Sequence, residues 1–279
     1  MKVKLTIVCC ALMLSALSLK GQQEADTLKV RQLKEVVATG TRTERSVSTL
    51  PLPTQVIAGE SIRQSGLSRL NEIIQEQTGL FTVPDFGGGE GIQIQGLDAA
   101  YTMILIDGQP LVGRLAGTLD LSRISVNNVE RIEVIKGASS CLYGSEAMAG
   151  VINIITRQTD VGSNLHLNAN YKVAAFNTHD ASMNVSKGIN NKIGLELFGN
   201  YYSSGGYNLS TSSFFNTVEP FHNLTIQPKL KFNITKKLSL QTNARFYRQS
   251  QNNKGLIDDQ QFNGKSNIDE QNYTLLINH

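Results

Sequence analysis

The rhythm of apolar and polar positions along this chain changes as it proceeds, and each change predicts a different kind of structure. An unbroken apolar run covers 5–19; Lys2 and Lys4 precede it, and Lys20, Gly21 and Gln22 close it. Between 54 and 160 the apolar stretches are short, punctuated by glycine, and mixed in period. Residues 55–58, 80–83, 92–95, 102–106, 129–135 and 151–156 read as strands, with a helical turn around 60–64. Ser68 is placed to cap a helix whose apolar positions Leu70, Ile73 and Ile74 share one face, and Gly79 is suited to end it. A small α+β unit follows from these elements.

Beyond Asp160 the period is two. Leu165, Leu167, Ala169 and Tyr171 alternate with His166, Asn168 and Asn170. In the same way Leu224, Ile226, Leu230, Phe232 and Ile234 oppose Thr225, Gln227, Lys229, Lys231 and Asn233. Leu238, Leu240, Ala244 and Phe246 oppose Ser239, Gln241, Asn243 and Arg245. Further strands are expected at 181–186, 193–202 and 273–278. Short turns at 187–192 and 236–237 alternate with long polar loops at 203–222 and 249–271. Alternation alone fits a soluble β-sandwich or a membrane β-barrel equally well. Short turns on one side and long loops on the other are the barrel's habit.

The N-terminal pattern is that of a secretory signal peptide, with the mature chain starting near Gln22. The apolar run is shorter than the roughly 20 residues that a spanning helix needs. Cys9 and Cys10 fall inside it, which leaves Cys141 alone in the mature chain, so no intramolecular disulfide can form. A formal charge of +3, with the two signs interspersed, gives no footprint for nucleic acid.

One stretch carries more information than the rest. It runs I-Q-I-Q-G-L at 92–97, I-L-I-D-G-Q-P at 104–110, R-I-E-V-I-K-G at 131–137, L-Y-G-S-E-A at 142–147 and G-V-I-N-I-I-T at 150–156. Together and in this order these blocks resemble the plug domain of TonB-dependent outer-membrane receptors. The resemblance, the export signal and the strand length near ten residues select the barrel over the sandwich. The expected fold is an α+β plug domain followed by the first strands of an antiparallel transmembrane β-barrel, incomplete in this chain. Barrels that hold a plug have about 22 strands, so an N-terminal portion of a receptor is expected. The expected divisions are a signal peptide at 1–21, a periplasmic leader at 22–46, the plug at 47–160 and the barrel portion at 161–279.

The resemblance also implies sites. Glu35, Val36, Val37, Ala38 and Thr39 look like the TonB box, an extended and unpaired segment that an energising TonB-type protein captures as an added edge strand. The family's box ends V-T-A-T-R where this chain has V-A-T-G-T-R at 37–42, so its register is open by a residue or two. Outward loops at 84–91, 97–101 and 111–118 would meet the cargo, with Asp85, Phe86, Tyr101, Arg114 and Leu115 as ligand-binding candidates. Where the family commonly has an arginine that joins a charged lock between plug and barrel, this chain has Gln95. Arg131, Glu133 and Lys136 are then the candidates for plug–barrel contact.

Enzymatic readings find little footing. Residues 87–91 are glycine-rich but lead into a strand, where a phosphate cradle needs a helix N-terminus. L-Y-G-S-E lacks the spacing of a nucleophile elbow. His166, His179, His222 and His279 lack metal-ligand spacing and read as lumen or loop residues, a haem-ligating pair being the other reading. No catalytic residue, resident cofactor or metal is expected. The expected function is active import of a scarce nutrient chelate (haem, a corrinoid or a ferric siderophore) across the outer membrane. A non-transporting adhesin or passive pore that retains the plug is the alternative.

Overall fold

The computed structural model describes residues 53–84, 90–111, 119–137, 143–209, 216–235, 238–257 and 260–278, together with the backbone of 36–37 and 45–46. Two strands open it: β1 (Val36–Val37) pairs antiparallel with β2 (Arg45–Ser46). Strand β3 (Thr54–Ala58) follows, then α1 (Gly59–Ser65) and α2 (Leu70–Gln75). Strands β4 (Leu80–Pro84) and β5 (Glu90–Ile94) form a hairpin of their own. Then come β6 (Thr102–Ile106), β7 (Gln109–Pro110), β8 (Val129–Lys136) and β9 (Gly150–Thr156).

The plug sheet has the order β3-β8-β9-β6-β7, with β6 and β9 parallel and every other pair antiparallel. Its central strand β9 is apolar on both sides, as a strand covered on both faces must be. Ile104, Ile132, Val134, Ile152 and Ile154 pack on one face with Leu70, Ile73 and Ile74 of α2. Met103, Leu105 and Val151 meet Ala147 on the other. Tight packing explains Gly59, where a Cβ would lie 2.3 Å from the carbonyl oxygen of Glu130. Asp107 (φ 50°) and Gly108 (φ 78°) join β6 to β7 as a two-residue turn with both central residues left-handed, the geometry that matches strand twist.

Two sequence expectations change here. Ser68 does not cap α2. Arg69 precedes the helix, and Glu72 Oε2 reaches back to accept from the Ser68 and Arg69 amides at 2.9 and 3.1 Å. The helix also stops at Gln75, ahead of Gly79, because the chain tightens as Gln77 N donates to the Ile74 carbonyl.

The C-terminal strands are β10 (His166–Ala174), β11 (Thr178–Gly188), β12 (Ile193–Ser204), β13 (Phe221–Asn233), β14 (Ser239–Ile257) and β15 (Gln260–Asn278). They pair in sequence order as one antiparallel six-stranded sheet. Expected strand positions hold, but the polar stretch at 249–271 is not a loop. It continues β14 and β15 as one hairpin, in register from Ser239↔Asn278 to Ile257↔Gln260. With no apolar row to mark it, the alternation there was invisible to a hydrophobic period.

Burial in this sheet is inverted relative to a soluble protein. Leu165, Leu167, Tyr171, Met183, Leu195, Leu197, Leu224 and Tyr273 are exposed, while Ser182, Glu196, Asn200, Thr225, Gln227, Lys229, Arg245 and Glu270 are buried. The buried polar row faces the plug. A sandwich would put the apolar row inside, so the sheet is a barrel wall with its apolar side toward lipid. From Ile193 to Tyr201 the outward row runs for about 26 Å of strand, and Tyr171 and Tyr201 lie level across β11 at its outer limit. An apolar band ending in aromatic residues is what a membrane boundary requires.

Candidate functional site

Plug and wall belong to separate sheets, and no strand ladder joins them among the described residues. Buried polar side chains hold the seam instead, at several levels.

The first cluster centres on Arg69. Backbone bonds fix its position, since Leu70 N donates to the Ile124 carbonyl and Val126 N to that of Ser68, each at 3.0 Å. Its guanidinium therefore projects from the start of α2 to the wall. Arg69 Nη2 lies 2.7 Å from Asp180 Oδ1 and donates to Asn200 Oδ1 at 3.1 Å. Asn200 Nδ2 in turn donates to Asp180 Oδ1 at 2.7 Å. The guanidinium also sits 3.8 Å above the ring of Tyr202. Both charged side chains are 3% exposed. Removing one partner of such a pair strands the other in a dry place, a loss of about 3–5 kcal/mol.

Arg123 builds the second cluster. It ends a short 3₁₀ turn, Leu121–Arg123, whose N-cap Asp120 accepts from Ser122 N at 3.0 Å. Arg123 Nη1 donates to Glu270 Oε1 at 3.1 Å, and Arg245 Nη1 approaches Glu270 Oε2 at 3.3 Å. One wall carboxylate is thus shared between a plug arginine and a wall arginine. Asp120, 3.4 Å from Arg123 Nε, completes a group of zero net charge beside the Tyr247 ring.

Lys229 supplies the third. The Asp107-Gly108 turn aims Asp107 at the wall, where its Oδ2 lies 3.0 Å from Lys229 Nζ. Asp107 Oδ1 also accepts from Thr156 N at 2.8 Å, and Lys229 donates to Thr156 Oγ1 and, at 3.3 Å, to the Arg157 carbonyl. Asn128 Nδ2 adds a neutral bond to Gln227 Oε1 at 3.0 Å. A seam of this kind fixes the register of plug against wall, while leaving far fewer bonds to break than a shared sheet would.

The residues singled out from sequence fall elsewhere. Arg131 Nε donates to Glu133 Oε1 at 2.8 Å, two residues along its own strand, and Lys136 Nζ donates to the Thr78 carbonyl at 2.9 Å. These two bonds lie within the plug, while Arg69, Arg123 and Asp107 carry buried ion pairs to the wall. Gln95 (φ 54°) occupies a left-handed turn position before Gly96, its amide beside Gly137. Tyr101 ends a 3₁₀ turn and is exposed. Asp85, Phe86, Arg114 and Leu115 lie outside the described residues, as do Cys141, His279, Glu35, Ala38 and Thr39. Val36 and Val37 are extended, as a strand-donating segment must be, but not unpaired: they face Ser46 and Arg45.

The histidines also move. His179 and His222 lie on the outward rows with Val173 and Leu224, not in the lumen, where Tyr171 and Tyr201 hydroxyls meet their Nδ1 atoms at 2.8 and 2.9 Å. Arg69 and Arg123 were missed, although a signal exists. Each ends a Leu-Ser-Arg triplet, at 67–69 and 121–123, that sets an arginine directly before an apolar residue of the core.

Residues 46–151 match the family model described as TonB-dependent Receptor Plug Domain. Solved structures share the arrangement. The ferripyoverdine receptor of the outer membrane of Pseudomonas aeruginosa, bound to ferripyoverdine, superposes with a TM-score of 0.64 at 15% identity, covering 78% of this chain and 28% of that one. A mutant of the ferric enterobactin receptor PfeA of the same organism gives 0.60 at 24% identity, covering 78% and 35%. The siderophore receptor PirA from Acinetobacter baumannii gives 0.58 at 21%, covering 72% and 32%. The chain thus spans about a third of the length of these structures. At such identities the likeness is one of fold, an outer-membrane wall around a plug.

Proposed function

We infer that this chain, which carries the plug domain of the TonB-dependent receptors, serves energy-driven import of a scarce nutrient chelate across the outer membrane. The chelate classes that fit are haem, a corrinoid and a ferric siderophore. One observation carries the reading: a folded stopper is held against the polar face of a membrane wall by discrete buried ion pairs at Arg69, Arg123 and Asp107. An adhesin has no need of a separable stopper, and a passive pore would be closed by it.

In this mechanism cargo binds on the outer side and a pull on the leader frees the lumen. The leader end suits that role. Among the described residues its β1–β2 pairing comprises Val36↔Ser46 and Val37↔Arg45. An energising partner that offers a longer sheet edge replaces few hydrogen bonds when it captures this segment. The segment 35–39 is accordingly assigned as the TonB box, and a TonB-type protein as the partner. The reaction is translocation with no chemical conversion of cargo.

Deleting 35–39 tests this. Cargo uptake by cells should fall to the level of a strain lacking the energising protein, with surface binding of cargo retained. Uptake at the undeleted level would assign the chain to the passive or adhesive class.

A further inference from the structure

The lipid-facing side of the wall is apolar row by row, with one departure. Between the levels of Ile193 and Tyr201, one row reads Lys187, Leu195, Leu230, Thr242 and Leu275. The next holds Leu167, Val185, Leu197 and Pro228, with Ala244 facing Tyr273, and the third Ala169, Met183, Gly199, Ile226, Phe246 and Gln271. Among these described residues Lys187 alone carries a charge. It is exposed, and no described carboxylate shares its row or either neighbouring row on this face. A cation on such a row costs free energy unless its ammonium reaches a polar partner. Lys187 lies one row, about 7 Å of strand, inside the Ile193 level. Its apolar stem can therefore run along the wall and carry the ammonium to the headgroup zone at the end opposite Tyr171 and Tyr201.

Beside Lys187 the face is not flush. Leu195, Leu197 and Tyr273 stand exposed as ridges, while Pro228 and Ala244 are half-buried between them. Proline donates no ladder bond, and the pairing of β13 with β14 skips it, passing from Ile226↔Phe246 to Lys229↔Asn243. Two short side chains thus meet at one level and floor a groove of about 890 Å³, with Lys187 at its rim. From Lys187 on β11 to Tyr273 on β15 the groove crosses four strand spacings, about 19 Å. That is long enough for the acyl chain of one leaflet, whose hydrocarbon is about 15 Å deep.

We propose that this groove seats an acyl chain of one anionic phospholipid, whose phosphate pairs with the Lys187 ammonium. Charge chooses the occupant. An apolar groove by itself takes any chain, but a cation at one end selects a lipid whose headgroup is negative. A second copy packed about a two-fold axis would set the same patch on itself and leave Lys187 facing apolar rows or its own twin. The site rests on the wall alone and stands whether or not the receptor imports a cargo.

The test weighs the complete receptor, purified in detergent and mixed with equal amounts of phosphatidylglycerol and phosphatidylethanolamine, by native mass spectrometry. Phosphatidylglycerol should be retained over phosphatidylethanolamine by about fivefold, the effect of one cation near an anionic headgroup. Lys187→Gln should erase the preference and Lys187→Arg should keep it. Ala244→Phe, which fills the floor, should lower retention of both lipids, whereas Met183→Phe, one row beyond the groove, should not. A melting temperature that rises with added phosphatidylglycerol in the unsubstituted receptor, and not in Lys187→Gln, is the second readout should Ala244→Phe fail to insert. Equal retention of the two lipids, a preference that survives Lys187→Gln, or a dimer whose interface excludes both lipids from the groove overturns the proposal.

Discussion

At the scale of single residues, burial decides which charges matter. The Arg248–Asp269 pair is short, at 2.6 Å, but its side chains are 74% and 55% exposed, and Asp269→Asn should leave the urea midpoint unchanged. Arg69→Ala meets the opposite circumstance. Asp180 would keep Asn200 alone as a partner, and a loss of about 3–5 kcal/mol is expected in urea melts of the folded receptor. The double variant Arg69→Ala/Asp180→Ala should lose less than the sum of the single ones, because it leaves no buried charge unmatched. A fully additive cycle would remove the pair from the seam. Gly59→Ala probes packing instead. Its new methyl would press on the Glu130 carbonyl, and about 1–3 kcal/mol of destabilisation follows. None of these partnerships could be read from sequence. Arg131 and Glu133 are singled out because Gln95 stands where the family commonly has an arginine, and in the fold Arg131 Nε donates to Glu133 Oε1 along its own strand. Arg69 and Arg123 looked like ordinary polar punctuation before core segments.

At the scale of elements, the sequence was most legible where an apolar period existed. The plug strands and the lower halves of the wall strands follow from alternation that a covered face or a lipid face enforces. The upper halves of β14 and β15 have no such face. There the contacts are the ladder between strands and the side-chain bonds from Gln249 Nε2 to Gln251 Oε1 and from Gln251 Nε2 to Asn253 Oδ1, at 2.9 and 2.8 Å, and neither leaves a hydrophobic signature. Replacing Gln249 and Gln251 together by alanine should fray this hairpin, and amide hydrogen exchange at 252–266 should rise while exchange at 240–246 stays slow. Equal protection in both halves would show that the backbone ladder suffices. Boundaries near α2 were missed for a related reason, because Glu72 took the capping role that Ser68 was expected to fill.

At the scale of the whole molecule, plug and wall are two bodies joined at a polar seam. Asn128 and Gln227, whose side chains meet at 3.0 Å, offer a place to lock it. The double substitution Asn128→Cys/Gln227→Cys, bridged by a short reducible cross-linker between the two thiols, should abolish uptake, and reduction should restore it. Uptake undiminished by a quantitative cross-link would mean that cargo passes without the plug leaving the wall at that level. The charge-neutral grouping at the seam was likewise beyond reach of sequence. It depends on a 3₁₀ turn, a helix start and a two-residue hairpin turn arriving opposite residues more than 100 positions away, as Arg69 and Asn200 do with a separation of 131 and Arg123 and Glu270 with one of 147.

The sheet order β3-β8-β9-β6-β7 has a mechanical meaning. The first strand of the sheet in chain order, β3, is also an edge strand, tied to its neighbour by five facing pairs from Thr54↔Ile135 to Ala58↔Arg131. Tension entering the chain ahead of Thr54 therefore loads a free margin, where a strand can peel away one bond at a time, and not the parallel centre, where a whole row must slide at once. Under the proposed pull such a stopper should yield progressively from the end that is tugged, with the rest seated until that margin has gone.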